Sequence, residues 1–248
     1  MSKNAMIRKF LIALFWLGLW QLTSRAIHNS ILLVGPFDMM KALFSQAVTA
    51  DFWKSIAFSF GKISIGFLGA FVLAILLASL AYRIHFLEEL LAPLMTLVTS
   101  IPVASFVILA LIWIGSGKLS VFCSFLVVFP VIYVNTLAGL RSTDRELLEM
   151  ASVFGMSGWK RIYYIYRPAV FPYLASSCKI ALGMSWKSGI AAEVIGVPDY
   201  SIGERLYMSK IYLDTANLFA WTFIIIIISA LFERFFLILL KRTVGHSC

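Results

Sequence analysis

The chain has 248 residues, of which 61% are hydrophobic and only 13% charged, with a formal net charge of +9 and a mean hydropathy of +0.92. A soluble domain of this length carries about a quarter charged residues and roughly half apolar ones. The composition therefore excludes a water-soluble globular protein and points to an all-α polytopic membrane protein. The positive balance does not indicate a nucleic-acid partner. No basic cluster is interleaved with base-stacking aromatics, and Lys and Arg gather in the cytosolic loops of membrane proteins.

Apolar runs of about twenty residues recur, the length a helix needs to cross ~30 Å of hydrocarbon, and residues 1–248 read as a single transmembrane domain. Lys3, Arg8 and Lys9 precede an apolar run from Phe10 to Leu22. No small-x-small cleavage site follows and Arg25 stands in the wrong place for one, so this is an uncleaved first span, a short one, with its N-terminus in the cytosol. Residues 28 to 53 form an outer connector with a turn at Gly35-Pro36 and a weakly amphipathic helix from Asp38 to about Val48. The second span, about Trp53 to Tyr82, carries Gly66, Ala70, Ala74 and Ala78 at every fourth position, a stripe that lets another helix approach closely in lipid. The third, about Leu87 to Ile114, contains Pro93 and Pro102, and Ser100-Ile101-Pro102 predicts a kink or break. That bend serves either packing or a cavity lined by freed carbonyls.

Gly115 to Lys118 makes an outer turn, and the fourth span, Leu119 to Leu140, has Pro130 in its middle. A strongly polar segment, 141–167, follows. The fifth span runs from about Ala169 to Ala192, an outer loop covers 193–217, and the sixth span is Leu218 to about Phe232. An apolar-basic tail through Lys241 and Arg242 returns to the cytosol. Twelve of the 21 Lys and Arg residues fall in segments placed inside and about six outside, the bias expected for six spans with both termini cytosolic.

Familiar catalytic patterns fail on their own terms. Gly115-Ser116-Gly117-Lys118 lacks the earlier glycine and the following Ser or Thr of a phosphate-binding loop, since Ile112 and Leu119 occupy those places. Gly155-Met156-Ser157-Gly158 resembles the G-x-S-G of intramembrane proteases, but its serine needs a histidine base on a neighbouring span. The three histidines, His28, His85 and His246, all lie in loops or tails. No H-E-x-x-H is present and no metal ligand set is expected. Cys123 and Cys178 lie in apolar segments and Cys248 is the last residue, with no disulfide or metal spacing.

The polar segment holds Glu149, Lys160, Arg161 and Arg167, a Gly-x-x-Gly break at Gly155 and Gly158, and a closing Pro168. A loop this charged cannot lie in hydrocarbon. Asp144 and Glu146 favour the positive end of a helix over 143–153, Gly155 suits the left-handed turn that ends it, and 157–166 can form a second short helix. Pro168 then starts the fifth span, where its missing N–H costs little. Such a pair is a rigid cytosolic knob; the plain alternative is a solvated connector.

Glu149-Met150-Ala151, three residues, Gly155, nine residues, Ile165, two residues and Pro168 resembles the E-A-A-x3-G-x9-I-x-L-P loop of permeases of binding-protein-dependent ABC importers. Met150 replaces the first Ala and Arg167 the Leu. Ser100-Ile101-Pro102, Trp113-Ile114-Gly115, Asn135 to Arg141, Ser185-Trp186-Lys187 and Ala192 to Gly196 are similar to the nitrate/sulfonate/taurine branch, so the resemblance covers roughly residues 36 to 242. It implies the type I ABC importer permease fold in the inner membrane of a prokaryote, embedded in the lipid bilayer. It further implies two ABC ATPase subunits, a substrate-binding protein and a second permease copy as partners. ATP and Mg belong to the ATPase, and this chain itself binds no cofactor. The loop, with Glu149, Ala151, Gly155, Gly158, Ile165 and Pro168, is then the part that docks on the ATPase.

In the fifth span Lys179, Gly183 and Lys187 are four residues apart and share a face. With Trp186 they form a candidate translocation path that two lysines would suit to an anionic solute. An interhelical ion pair, or lysines reaching for headgroups, explains the same residues. Glu193 ends the span at the outer surface, as a gate, a binding-protein contact, or a partner of Arg205 or Lys210. A stand-alone channel or ion-coupled carrier is the rival function, and a scaffold a third.

Overall fold

The computed structural model describes residues 3–29 and 31–244; His246 and Cys248 lie outside them. The described residues form helices joined by turns, without strands. Helix α1 (Lys3–Ile27) runs five residues beyond the expected end of the first span; no residue of its 18-residue apolar window, Phe10–Ile27, is fully buried, and Trp20 packs against Phe219 with ring centroids 5.7 Å apart. Helix α2 (Pro36–Ala47) starts with proline at its first turn, where no N–H is needed.

Three helices form the core: α3 (Ala50–Arg83), α6 (Leu119–Arg141) and α9 (Arg167–Gly196). The predicted small-residue stripe faces inward: Ala70, Ala74 and Ala78 are fully buried and Gly66 is buried with them. A Cβ at Gly66 would lie 2.4 Å from the Val121 carbonyl oxygen, which is backbone and cannot swing aside. Between α6 and α9 the Ser124 hydroxyl donates to the Ser185 carbonyl at 3.1 Å. Ser188 reaches the Cys123 carbonyl at 3.4 Å. Because lipid tails are as apolar as leucine, dispersion at close range and interhelical hydrogen bonds hold such helices together. A ring cluster, in which Phe67 stacks edge-on against Phe232 and Phe236, locks α11 (Thr215–Val244) onto this core.

The proline break is sharper than a kink. Helices α4 (His85–Ser100) and α5 (Val103–Ile114) meet at Ile101-Pro102 and are bent by 104°. The expected third span is a broken span or re-entrant element. Four other helices are long and apolar enough to cross a membrane. Helix α9 has the length for a span, about 45 Å, but its lysines and serines leave it short of the hydropathy of the others.

Two expectations of 193–217 and the C-terminus need correction. The outer segment is not plain loop: it holds helix α10 (Ile202–Ile211), capped by Ser201, whose hydroxyl accepts from the Glu204 N–H at 2.9 Å. The sixth span does not stop near Phe232, because α11 continues unbroken through Lys241 and Arg242. No proline or glycine interrupts 218–244, so nothing in that sequence ends a helix.

Gly66→Val should separate α3 from α6 and destabilise the protein by about 1–3 kcal/mol, the usual cost of overpacking. Gly69→Ala meets only ordinary contact, 3.8 Å from Phe125, and should leave thermal unfolding in detergent unchanged. Equal melting temperatures for the two variants would contradict the close approach.

Candidate functional site

The polar segment between α6 and α9 is built as a knob. Asp144 caps helix α7 (Arg145–Val153), accepting the Glu146 N–H at 2.9 Å. The helix ends in a Schellman turn. Gly155 has φ +60°. Its N–H reaches the Ser152 carbonyl at 3.1 Å, and the Met156 N–H reaches the Ala151 carbonyl at 2.8 Å. A side chain at 155 would meet no neighbour, so glycine is required by its backbone and not by space. Arg161 Nε donates to the Met156 carbonyl at 3.0 Å and ties the far side of the turn to the next helix.

That helix, α8 (Gly158–Arg161), passes through one wide π-turn, Ile162–Tyr166, directly into α9. The second short helix and the fifth span are therefore one rod, and Pro168 starts no new span. The widened turn falls just before the residue that lacks an N–H. Tyr166 packs edge-on against Tyr82 of α3 with ring centroids 5.9 Å apart, which pins the rod to the core. Arg167, the departure from the family pattern, lies 4.6 Å from the Tyr163 ring one turn back, so its charge is engaged within its own helix.

Of the predicted loop residues, Ala151 and Ile165 are buried and Glu149, Gly155, Gly158 and Pro168 are exposed. Large apolar side chains also stand in the open: Val153 is 84% exposed, Phe154 79% and Trp159 77%. Water alone would not favour that surface.

The predicted α9 residues separate. Lys179 and Lys187 are exposed and Gly183 half-buried. Trp186 is fully buried, 6.1 Å from the Phe60 ring and 6.4 Å from the Phe232 ring, so it belongs to the core and not to an open path. Glu193 does not reach the outer surface. It is completely buried, and neither Arg205 nor Lys210 pairs with it. Ser59 Oγ donates to its Oε2 at 2.6 Å, and the Gly203 N–H donates to the same oxygen at 3.2 Å. Ser59 in turn accepts the Ile202 N–H at 2.9 Å. Carboxylate and hydroxyl thus take the first free N–H groups of α10, the end of a helix that attracts negative charge. Arg205 instead approaches Asp51 at 3.9 Å.

A largely apolar groove with a few polar groups, between α4 and α6, has no counterpart among the sequence expectations. Its main chamber encloses about 630 Å³ beside Ala92, Thr96, Tyr133 and Leu137. A smaller one of about 340 Å³ continues past Thr99, Pro130 and Asn135. The available signal was the helical spacing of Glu88, Ala92, Thr96 and Thr99, a small and polar face opposite Phe86, Leu90, Leu94 and Leu97.

Membrane-crossing helices held by small residues, with a rigid apolar-tipped knob on a polar loop between two of them, define a multi-pass membrane protein. Residues 70–245 match the family described as the binding-protein-dependent transport system inner membrane component, and the chain belongs to that family. It is the permease subunit of an ABC importer, an inner-membrane protein whose fold is the type I ABC permease fold. Among similar proteins is the riboflavin transport system permease protein of Chloroflexus aurantiacus, 29% identical over 138 residues, which are 55% of this chain and 51% of that one. The putative aliphatic sulfonates transport permease protein of Escherichia coli is 27% identical over 206 residues, covering 80% and 76%. The taurine transport system permease protein of the same organism is 23% identical over 220 residues, covering 86% and 80%.

Glu193→Ala should cost about 1–3 kcal/mol by leaving buried N–H and hydroxyl groups unpaired, while Glu193→Gln, which keeps an acceptor, should cost less. Amide exchange at Ile202 and Gly203 reports it directly. Unchanged protection in the alanine variant would show that the carboxylate does not hold α10.

Proposed function

We propose that residues 141–167 are the coupling element through which two ATPase subunits drive this permease by alternating access. The carrying observation is the exposed apolar tip, Val153, Phe154 and Trp159, on the most polar loop of the chain. An apolar patch with a charged rim suits a protein cleft, and the Schellman turn at Gly155 makes it stiff enough to transmit a push. Glu149, Gly158 and Pro168 line its exposed flank; Ala151 and Ile165 anchor it from within. ATP and Mg act in the partner, and this chain contributes no hydrolytic group.

A second copy of the chain completes the transporter in this reading. Lys179 and Lys187 sit on an exposed stripe of α9 with Gly183 between them. Two ammonium groups there, Lys179 about 18 Å along the helix from its start, would be costly against lipid tails. A partner copy with an aqueous seam between the two stripes removes that cost and places positive charge along the seam. The solute delivered by the binding protein is then small and carries an anionic group, in keeping with the sulfonate group shared by the aliphatic sulfonates and taurine named for two relatives.

Gly155→Pro cannot adopt the left-handed turn. It should leave the chain inserted and bound to its ATPase while ATP hydrolysis no longer drives uptake. Gly155→Ala, which costs about 1–2 kcal/mol at positive φ, should retain part of the coupling. Normal uptake by the proline variant in proteoliposomes would sink the coupling role.

A further inference from the structure

The groove between α4 and α6 is lined at one end by a pair of charges. Arg141, in the last turn of α6, is hydrogen-bonded to Glu88, in the first turn of α4. Their side chains are 52% and 20% exposed, and His85 Nδ1 lies 3.4 Å from the same carboxylate. Only Ser142 and Thr143 separate Arg141 from Asp144, the cap of the knob helix. The pair therefore stands within one helical turn of the start of the knob.

Above the pair the groove is lined mainly by apolar side chains, with a few polar groups set among them. The threonine hydroxyls are satisfied internally: Thr96 donates to the Ala92 carbonyl at 3.1 Å and Thr99 to the Met95 carbonyl at 2.9 Å. The Tyr133 hydroxyl lines the main chamber, is buried, and has no hydrogen-bond partner among the described residues. A buried hydroxyl without a partner calls for one. Arg141 has further N–H donors beyond the one given to Glu88. A solute here meets free donors, which favours acceptor oxygens. The opposite face of α4 carries exposed Phe86, Leu90, Leu94 and Leu97, which suit lipid, so the two faces differ in the solvent they are built for.

We propose that the α4–α6 groove is the cytosolic half of the solute path and that the Glu88–Arg141 ion pair is the latch at its mouth, released when the knob moves. The proposal rests on the importer reading and on the cytosolic placement of the knob.

The test uses the full complex, with Cys123, Cys178 and Cys248 replaced by alanine and Thr96→Cys introduced, in inside-out membrane vesicles. A membrane-impermeant maleimide reaches position 96 only through water, hence through the cytosolic mouth. With the pair intact, labelling should be slow. Arg141→Gln should speed it about fivefold, the shift that an exposed ion pair of this kind gives an equilibrium. The exchange Glu88→Arg with Arg141→Glu should restore the slow rate, which a merely misfolded variant would not do. Equal rates in all three backgrounds would overturn the latch, and absence of labelling in all three would overturn the path. The ATPase recovered with each variant reports separately on the importer reading, because its loss with an unchanged labelling pattern counts against that reading alone.

Discussion

The close contact of α3, α6 and α9 is the constraint on which the rest of the molecule depends. Burial of apolar surface cannot drive helices together in hydrocarbon, so the stripe of Gly66, Ala70, Ala74 and Ala78 replaces it with contact at short range. The knob leaves the core from the end of α6 and returns into α9, and those two helices share their longest packing seam. A force on residues 142–166 therefore acts on both sides of one tightly packed pair. Packed interfaces of this kind shift between discrete arrangements and do not deform smoothly. In the coupling role proposed for it, the position of the loop in the chain makes it a lever.

Rigidity is distributed unevenly along that lever. The first half is stopped by glycine at φ +60° and stapled by Arg161 to the backbone of Met156. The second half has no joint at all, since α8, the π-turn and α9 run as one rod. The weak places in the rod are Pro172, inside α9, and the widened turn before Pro168, at both of which a hydrogen bond is missing for covalent reasons. Tyr82 and Tyr166 meet beside the widened turn. In the proposed coupling role a push on Phe154 or Trp159 is carried into α9, with bending confined to its first two turns, around Pro168 and Pro172.

Much of this was legible in the sequence wherever a local rule decides structure. The small-residue stripe, the break at Ser100-Ile101-Pro102, the acidic start of the knob helix and the glycine stop each follow from one residue type in one backbone setting. What was not legible depends on partners far away in the chain. Glu193 reads as a surface charge because it follows an apolar run. Its true position is set by Ser59 and the amides of 202 and 203, and nothing near Glu193 announces them. Trp186 shares a helix with Lys179 and Lys187, yet Phe60 and Phe232 claim it for the core. The continuation of α11 past Phe232 was hidden by its basic end, which looked like a loop only because charge was read as a boundary.

The same reasoning explains why polar groups cluster at the two ends of this core. At the outer end the Glu193–Ser59 pair spends its acceptors on α10 and stays fully buried, which fixes that helix to α3 and α9 at once. At the inner end Glu88 and Arg141 are partly open to water, where an ion pair is weak and can be exchanged for hydration at small cost. A transporter that must open at one face while holding its frame needs this asymmetry. A buried, multiply hydrogen-bonded carboxylate suits the frame, and a half-solvated ion pair suits the latch proposed for the mouth.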